Sequence, residues 1–324
     1  MRAIIPVAGV GSRLRPHTYT LPKVLLNVAG KPIIGHIMDK LIAEQINEVT
    51  IIVGYLGKMI EKYIRDNYSI NVDFIYQEVR EGLGHSVYIS HHTFQDKDIL
   101  IILGDTIFDV DIKAFCNSTY SVIGVKEVDD PRRFGVANIS GEFITKLVEK
   151  PENPESRLAL VGLYYIKNSN LLKNCLIELI EKKIKTRNEY QLTDALQMML
   201  DKGEKIMPYQ VEGWYDCGKS ETLLATNRHL LGQKSTHRNI EDIIIIPPVY
   251  IAENCEIQKS IIGPYATIAD GAKICESIIR NSIIGNDAKV YCSLLEDSLI
   301  GNNSVVSGSY KRVNAGDSSE IEFK

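Results

Sequence analysis

Apolar residues along the first hundred positions follow two periods in turn. Short aliphatic runs at 3–7, 49–53, 72–76 and 99–103 predict strands, while 32–45, 56–65 and 82–91 repeat their apolar residues at three and four, which predicts helices. The run Ile99-Leu100-Ile101-Ile102-Leu103 is apolar on both faces, as a parallel strand covered by helices on each side is. Residues 120–167 change to several strands separated by turn residues, an antiparallel insertion suited to carrying a pocket wall. Helical periodicity resumes at 171–183, 190–200 and 220–230, and the polar stretch 232–239 predicts a linker.

Beyond the linker, aliphatic residues recur at fixed intervals. Ile251, Ile257, Ile262, Ile268, Ile274, Ile284, Val290, Ile300 and Val306 are separated by 6, 5, 6, 6, 10, 6, 10 and 6 positions. Small or turn residues follow the aliphatic, as in Ile262-Gly263-Pro264-Tyr265-Ala266-Thr267. A six-residue period of this kind predicts a β-helix of hexapeptide repeats, each aliphatic stacking inside a triangular coil, with roughly four coils at most.

A chain of 324 residues suits about two domains, and 44% hydrophobic residues are enough to bury full cores. A net charge of -4 with 24% charged residues excludes a disordered tail and a sequence-wide nucleic-acid surface. No stretch holds the ~20 apolar residues of a membrane span, and Pro6 interrupts the N-terminal apolar run, so neither a membrane nor a nucleic acid is an expected partner and the expected location is cytoplasmic. The six cysteines contain no Cys-x-x-Cys pair, which fits reduced, structural thiols.

The segment that carries chemistry follows the first predicted strand at once: Ala8-Gly9-Val10-Gly11-Ser12-Arg13-Leu14-Arg15-Pro16. Glycines there let backbone N–H groups close around a phosphate anion. A dinucleotide fingerprint would need glycine at Leu14, and no Gly-Lys-Ser or Gly-Lys-Thr of a Walker loop is present. Instead the first 38 residues hold Arg2, Arg13, Arg15, Lys23 and Lys31 and no acidic residue. That concentration of positive charge suits a site that holds a polyphosphate and neutralises charge during phosphoryl or nucleotidyl transfer.

Gly9-Val10-Gly11-Ser12-Arg13-Leu14-Arg15-Pro16-His17-Thr18, then Pro22-Lys23, then Gly30-Lys31-Pro32, resembles the signature of the sugar-1-phosphate nucleotidyltransferases, with Ala8 where many members carry glycine. The likeness continues through Tyr76-Gln77 with Gly82-Leu83-Gly84-His85, Leu103-Gly104-Asp105, Phe134-Gly135-Val136, Glu149-Lys150-Pro151 and Trp214-Tyr215-Asp216-Cys217-Gly218. It is closest to the glucose-1-phosphate thymidylyl- and uridylyltransferases that carry a C-terminal hexapeptide domain. The implied fold is α/β: a Rossmann-like mixed sheet over 1–232, a linker at 233–242, and a left-handed parallel β-helix over 243–324.

The resemblance implies roles residue by residue. Arg13 and Lys23 would be catalytic; Ala8, Gly9, Val10, Gly11, Ser12, Arg13, Gln77 and Gly82 would bind the nucleotide; Asp105 and Asp216 would hold Mg²⁺, which keeps waters and needs only one or two carboxylates. Gly135, Glu149, Lys150 and Gly162 would form the sugar-phosphate pocket. Gln77 carries both a donor and an acceptor, as the edge of uracil or thymine requires. The implied reaction joins an NTP, dTTP or UTP, to a hexose 1-phosphate such as glucose 1-phosphate, and releases pyrophosphate. A guanylyltransferase acting on mannose 1-phosphate is the alternative, since such enzymes share the Arg-Leu-Arg-Pro and Lys-Pro elements. A non-catalytic regulatory homologue would have lost Arg13, Lys23 or an aspartate, and all are present. Acyl transfer by the tail lacks a histidine base, because none follows His237. Stacked coils that end in an aliphatic face make a homo-oligomer, dimer, trimer or tetramer, the expected assembly.

Overall fold

A computed structural model of the chain describes residues 1–233, 242–308 and 318–320. The chain divides into two units, Met1–Thr226 and Asn227–Lys324. Of the expected linker, residues 234–241 lie outside the described residues, as do 309–317 and 321–324 of the tail and His237.

In chain order the first unit begins with β1 (Arg2–Pro6), a short hairpin of β2 (Asn27–Val28) and β3 (Lys31–Pro32), α1 (Ile33–Ala43), β4 (Glu48–Val53), α2 (Gly57–Asn67) and β5 (Asn71–Tyr76). It continues through α3 (Leu83–Ile89), β6 (Ile99–Ile102), β7 (Thr106–Asp109), α4 (Ile112–Cys116), β8 (Ser121–Glu127), β9 (Gly135–Ser140), β10 (Phe143–Glu149) and β11 (Leu158–Ile166). The last elements are α5 (Ser169–Glu181), α6 (Leu192–Asp201), β12 (Ile206–Gln210), β13 (Gly213–Asp216) and α7 (Ser220–Gln233). Helix α7 therefore runs through Gly232, further than the predicted start of the linker.

Nine strands form one mixed sheet in the order β10-β9-β11-β6-β1-β4-β5, with β8 paired to β11 and β12 to β8. Strands β6, β1, β4 and β5 are parallel, and β11 joins them antiparallel. Both faces are covered, which explains the doubly apolar runs. Ile5, Ile51 and Leu100 pack with Ile34, Met38 and Leu41 of α1 and Ile60 of α2. Ile4, Ile52, Ile99 and Ile101 pack on the other side with Val87 of α3, Leu176 of α5 and Leu196 of α6. The expected α/β class with a mixed sheet holds.

The second unit is built from four coils of three strands. These are β14 (Ile243–Ile245), β15 (Val249–Ile251) and β16 (Glu256–Gln258); β17 (Ser260–Ile262), β18 (Ala266–Ile268) and β19 (Lys273–Cys275); β20 (Ile278–Arg280), β21 (Ile283–Ile284) and β22 (Lys289–Tyr291); β23 (Leu294–Glu296), β24 (Leu299–Ile300) and β25 (Val305–Ser307). They stack into three parallel four-stranded sheets, the arrangement of a left-handed parallel β-helix. The two intervals of ten in the repeat are filled by Ile279 and Leu295, which face the same interior. Each stands five positions from its inward neighbours on either side, one short of the expected six-residue spacing.

At one corner Lys259, Glu276 and Cys292 adopt φ of 45°, 50° and 48°, a left-handed conformation that non-glycine residues rarely take. Each is followed by a serine. Ser260 Oγ accepts the Ser277 N–H and Ser277 Oγ accepts the Ser293 N–H, both at 3.1 Å, so the corners are tied coil to coil. None of the six cysteines is in a disulfide. Among the described residues, no helix is long and apolar enough to cross a membrane.

Candidate functional site

The turn after β1 fixes the site. Gly11 has φ +64°, and a Cβ there would stand 3.0 Å from Lys23 Cβ and Thr18 Cγ2. Thr18 Oγ1 donates to the Gly11 carbonyl at 2.8 Å. The turn is thus pinned against the residues that follow it, while nothing lies within 4 Å of where a Gly9 Cβ would be. Ala8, Gly9, Val10, Gly11, Ser12, Arg13, Lys23, Gln77, Gly82 and Asp105 all line one cleft of about 670 Å³. This is the carboxyl end of the parallel strands, where open α/β sheets place ligands.

Asp105 follows β6 through Leu103 and Gly104, and no side chain fits at Gly104, whose Cβ would be 2.2 Å from Val7. Lys23 Nζ lies 2.7 Å from Asp105 Oδ2 and Thr106 Oγ1 donates to Oδ1 at 3.3 Å. Burial alone would raise the Asp105 pKa, but the Lys23 ammonium outweighs it and holds the carboxyl below its ordinary value. Asp216 is brought alongside by the β13–β7 ladder, where it pairs with Thr106, and by the Cys217 N–H, which donates to the Asp105 carbonyl at 2.9 Å. Burial raises the Asp216 pKa and the charge of Asp105 adds to it, with Lys23 and Arg13 opposing. A Cβ at Gly218 would fall 2.8 Å from both Arg13 Nη2 and Asp216 Oδ1, so any other residue there would displace these two side-chain ends.

Two adjacent carboxylates, one of which is raised in pKa by the charge of the other, suit a hard divalent cation that takes its remaining ligands from phosphate and water. The fit is to that kind of site and not to a closed protein cage, since no group of three or more His, Cys, Asp or Glu able to hold a metal occurs among the described residues.

Glu149, Lys150 and Gly135 form a second group at the end of the β9–β10 pair, where Gly135 is the register partner of Glu149. The Glu149 side chain is 9% exposed and pairs with Lys150 Nζ at 3.0 Å. Thr193 Oγ1, at the start of α6, donates to its other oxygen at 2.7 Å. Gly162, with φ +85°, sits where the β11–β8 register breaks, and its carbonyl accepts from the Leu103 N–H at 2.9 Å. A side chain there would collide with Leu103 at 2.7 Å. This group does not line the 670 Å³ cleft itself. The buried Tyr164 phenol feels both groups: its pKa is raised by burial, then by the charges of Glu149 and Asp105. Phe134 packs edge-on against Trp214, ring centroids 5.1 Å apart, beside the strand that carries Asp216.

The basic N-terminus is less concentrated than its sequence suggests. Arg2 is buried and spends its guanidinium on Asp73, Thr50 and Glu48. Lys31 pairs with Asp39, and Arg15 stacks 4.9 Å over the Tyr19 ring. Of the five cations, Arg13 and Lys23 line the cleft. Sequence reasoning also passed over Arg80, Ser86 and Glu189, which line the same cleft, and Thr193, which holds Glu149. Ser86 Oγ is buried in the wall with no hydrogen-bond partner among the described residues. Gly82, with φ of +106°, lies against the Tyr190 carbonyl, a contact with the 189–193 segment that only the folded chain makes.

The nucleotidyl transferase family profile matches residues 2–233. The chain is similar to the "Bifunctional protein GlmU" of Methanocaldococcus jannaschii, 37% identical over 258 residues, which is 78% of this chain and 60% of that protein. It is 30% identical over 314 residues to a glucose-1-phosphate thymidylyltransferase of Streptomyces antibioticus, covering 88% of this chain and 87% of that one. Among solved structures, a Bacillus anthracis chain assigned as a glucose-1-phosphate thymidylyltransferase and crystallised with sucrose superposes with a TM-score of 0.62 at 29% identity, over 74% of this chain and 98% of that one. With its glycine turn, its motifs in register and this agreement along most of its length, the chain belongs to the nucleotidyl transferase family.

Proposed function

We propose that the protein transfers a nucleoside monophosphate from an NTP, dTTP or UTP, to a hexose 1-phosphate such as glucose 1-phosphate, giving NDP-sugar and pyrophosphate. The observation that carries this reading is the convergence of Arg13, Lys23, Asp105 and Asp216 at one glycine turn. A sugar-phosphate oxygen attacks the α-phosphorus as the bond to pyrophosphate breaks; oxygen replaces oxygen, and no covalent enzyme intermediate is needed.

In this reading the residues position and neutralise. The backbone of 8–13 and the Arg13 guanidinium hold the triphosphate. Lys23, poised on Asp105, passes its ammonium to the phosphates as they arrive. Lys150 holds the phosphate of the nucleophile, and Glu149 accepts from sugar hydroxyls with the oxygen positions that Thr193 and Lys150 fix. A divalent cation, taken as Mg²⁺, would be held by Asp105 and Asp216 and would supply charge neutralisation on the phosphates.

A matrix of NTPs against sugar 1-phosphates, read as pyrophosphate release, tests the reading. Release with UTP or dTTP and glucose 1-phosphate is the expected result, and chelation by EDTA abolishes it. Release with GTP and mannose 1-phosphate alone overturns the pyrimidine assignment, and no release with any pair favours a binding role. The outward row Ile244, Ile261, Ile278 and Leu294 along one β-helix sheet, with Ile244 59% and Leu294 79% exposed, supports a homo-oligomer. A solution mass equal to one chain overturns that part.

A further inference from the structure

Gln77 follows β5 and is buried in the cleft wall. Its amide nitrogen lies 3.4 Å from the Gly82 carbonyl oxygen and 3.0 Å from His85 Nδ1. A carbonyl oxygen only accepts, so the nitrogen, and not the oxygen, of the amide faces Gly82. Its second hydrogen then belongs to His85, whose Nδ1 must be the bare, accepting nitrogen. The hydrogen of that ring sits on Nε2, which faces Glu81 Oε2 at 3.8 Å. Burial lowers the His85 pKa, opposed by the Glu81 charge and reinforced by Lys185, so a neutral ring is the favoured form. The rings of Tyr88 and Tyr190 flank it. Both amide hydrogens of Gln77 are therefore spent inside the protein, and the group it offers the cleft is its oxygen. The sequence-based expectation that Gln77 presents a donor and an acceptor together is corrected accordingly.

We propose that His85 is a positioning residue that locks Gln77 as a hydrogen-bond acceptor, so that the site selects bases carrying a ring N–H at their pairing edge and rejects cytosine. Uracil, thymine and guanine carry that hydrogen; the corresponding nitrogen of cytosine and adenine is bare. Uracil and cytosine have nearly the same shape, so their discrimination isolates hydrogen bonding from fit. A bare nitrogen facing the Gln77 oxygen sets acceptor against acceptor in a partly desolvated wall, and each partner loses its water without replacement. The proposal rests on the reading that Gln77 meets the base.

Binding constants for UTP and CTP, and for dTTP and dCTP, measured by calorimetry on the full chain with Mg²⁺, test it beside pyrophosphate release. The wild type prefers UTP or dTTP to its cytosine counterpart. His85→Phe removes the nearer of the two acceptors, leaves the Gln77 amide only the 3.4 Å contact to the Gly82 carbonyl to hold its orientation, and lowers that preference about tenfold, the size of one hydrogen bond. His85→Asn, which returns an acceptor near Nδ1, restores it. If His85→Phe weakens both nucleotides equally and leaves the ratio unchanged, His85 only supports the fold and the proposal fails while the function stands. If the wild type binds UTP selectively but releases no pyrophosphate with any sugar phosphate, the function fails and the proposal stands. Equal binding of UTP and CTP by the wild type, or binding of neither, overturns it.

Discussion

The two units solve the problem of bringing residues together in opposite ways. In the β-helix a residue meets its partner one coil later, 17 positions on for Ser260 and Ser277 and 16 for Ser277 and Ser293. In the first unit the contacts that make the site join residues far apart in the chain, 82 positions for Lys23 and Asp105 and 44 for Glu149 and Thr193. A periodic unit repeats one local solution, so a substitution is felt by adjacent coils. A doubly wound sheet collects unlike residues from many strand ends at one edge, so a single side chain there has no repeat to replace it. The charges differ likewise. Ion pairs of the β-helix, such as Lys273 with Glu256 and Arg280 with Glu296, are exposed and stacked, where solvent screening leaves little net attraction, whereas the Lys23–Asp105 pair is held in the cleft wall.

The sharpest way to break this contrast is to remove a cation from the cleft. Lys23→Met is expected to lower nucleotidyl transfer about 10²- to 10³-fold, by analogy with loss of one oxyanion donor, with a smaller loss of thermal midpoint from the Asp105 carboxylate it leaves unpaired; steady-state pyrophosphate release and calorimetry measure the two. Ile274 of the β-helix, 1% exposed, reverses the pattern. Ile274→Ala is expected to cost about 2–5 kcal/mol of stability, seen as a lower denaturant midpoint, with kcat/KM at low temperature changed less than twofold; a large loss of activity there would dissolve the distinction between the units.

Smaller effects sharpen it. Thr193→Val removes the donor to Glu149 and is expected to raise KM for the sugar phosphate about tenfold, roughly one hydrogen bond to a charged group, with KM for the NTP less affected. Thr193→Ser restores the hydroxyl and the lower KM, which a mere packing defect would not allow. Ser277→Ala breaks one rung of the serine ladder and is expected to cost about 1 kcal/mol, with the same loss for Ser260→Ala, because both occupy one corner of successive coils.

Much of the architecture could be read from residue patterns for identifiable reasons. Ile99 to Ile102 are apolar because α-helices cover both faces of β6, and the aliphatic period beyond residue 240 exists because a triangular coil has one interior. The skipped Ile279 and Leu295 escaped the six-residue template because each stands five positions, not six, from the inward residue on either side. The glycine turn was legible because Gly11 takes a left-handed φ of +64°, which glycine adopts at least cost. The neutralisation of Arg2 and Lys31 was not, since Asp73 and Asp39 reach them from other elements. Thr193, Ser86 and Arg80 carry no local mark that separates them from ordinary polar residues.

The sequence by itself determined the layers, the repeat and the identity of the groups able to bind phosphate, because periodicity and backbone sterics act between near neighbours and leave their trace in residue type. Only the tertiary structure decided which of five cations face the cleft, that Asp216 stands beside Asp105, and that the Gln77 amide turns its nitrogen inward. Those outcomes are set by Coulomb and hydrogen-bond partners supplied from distant segments, and such interactions fall off over a few ångströms of space that the order of residues along the chain does not encode.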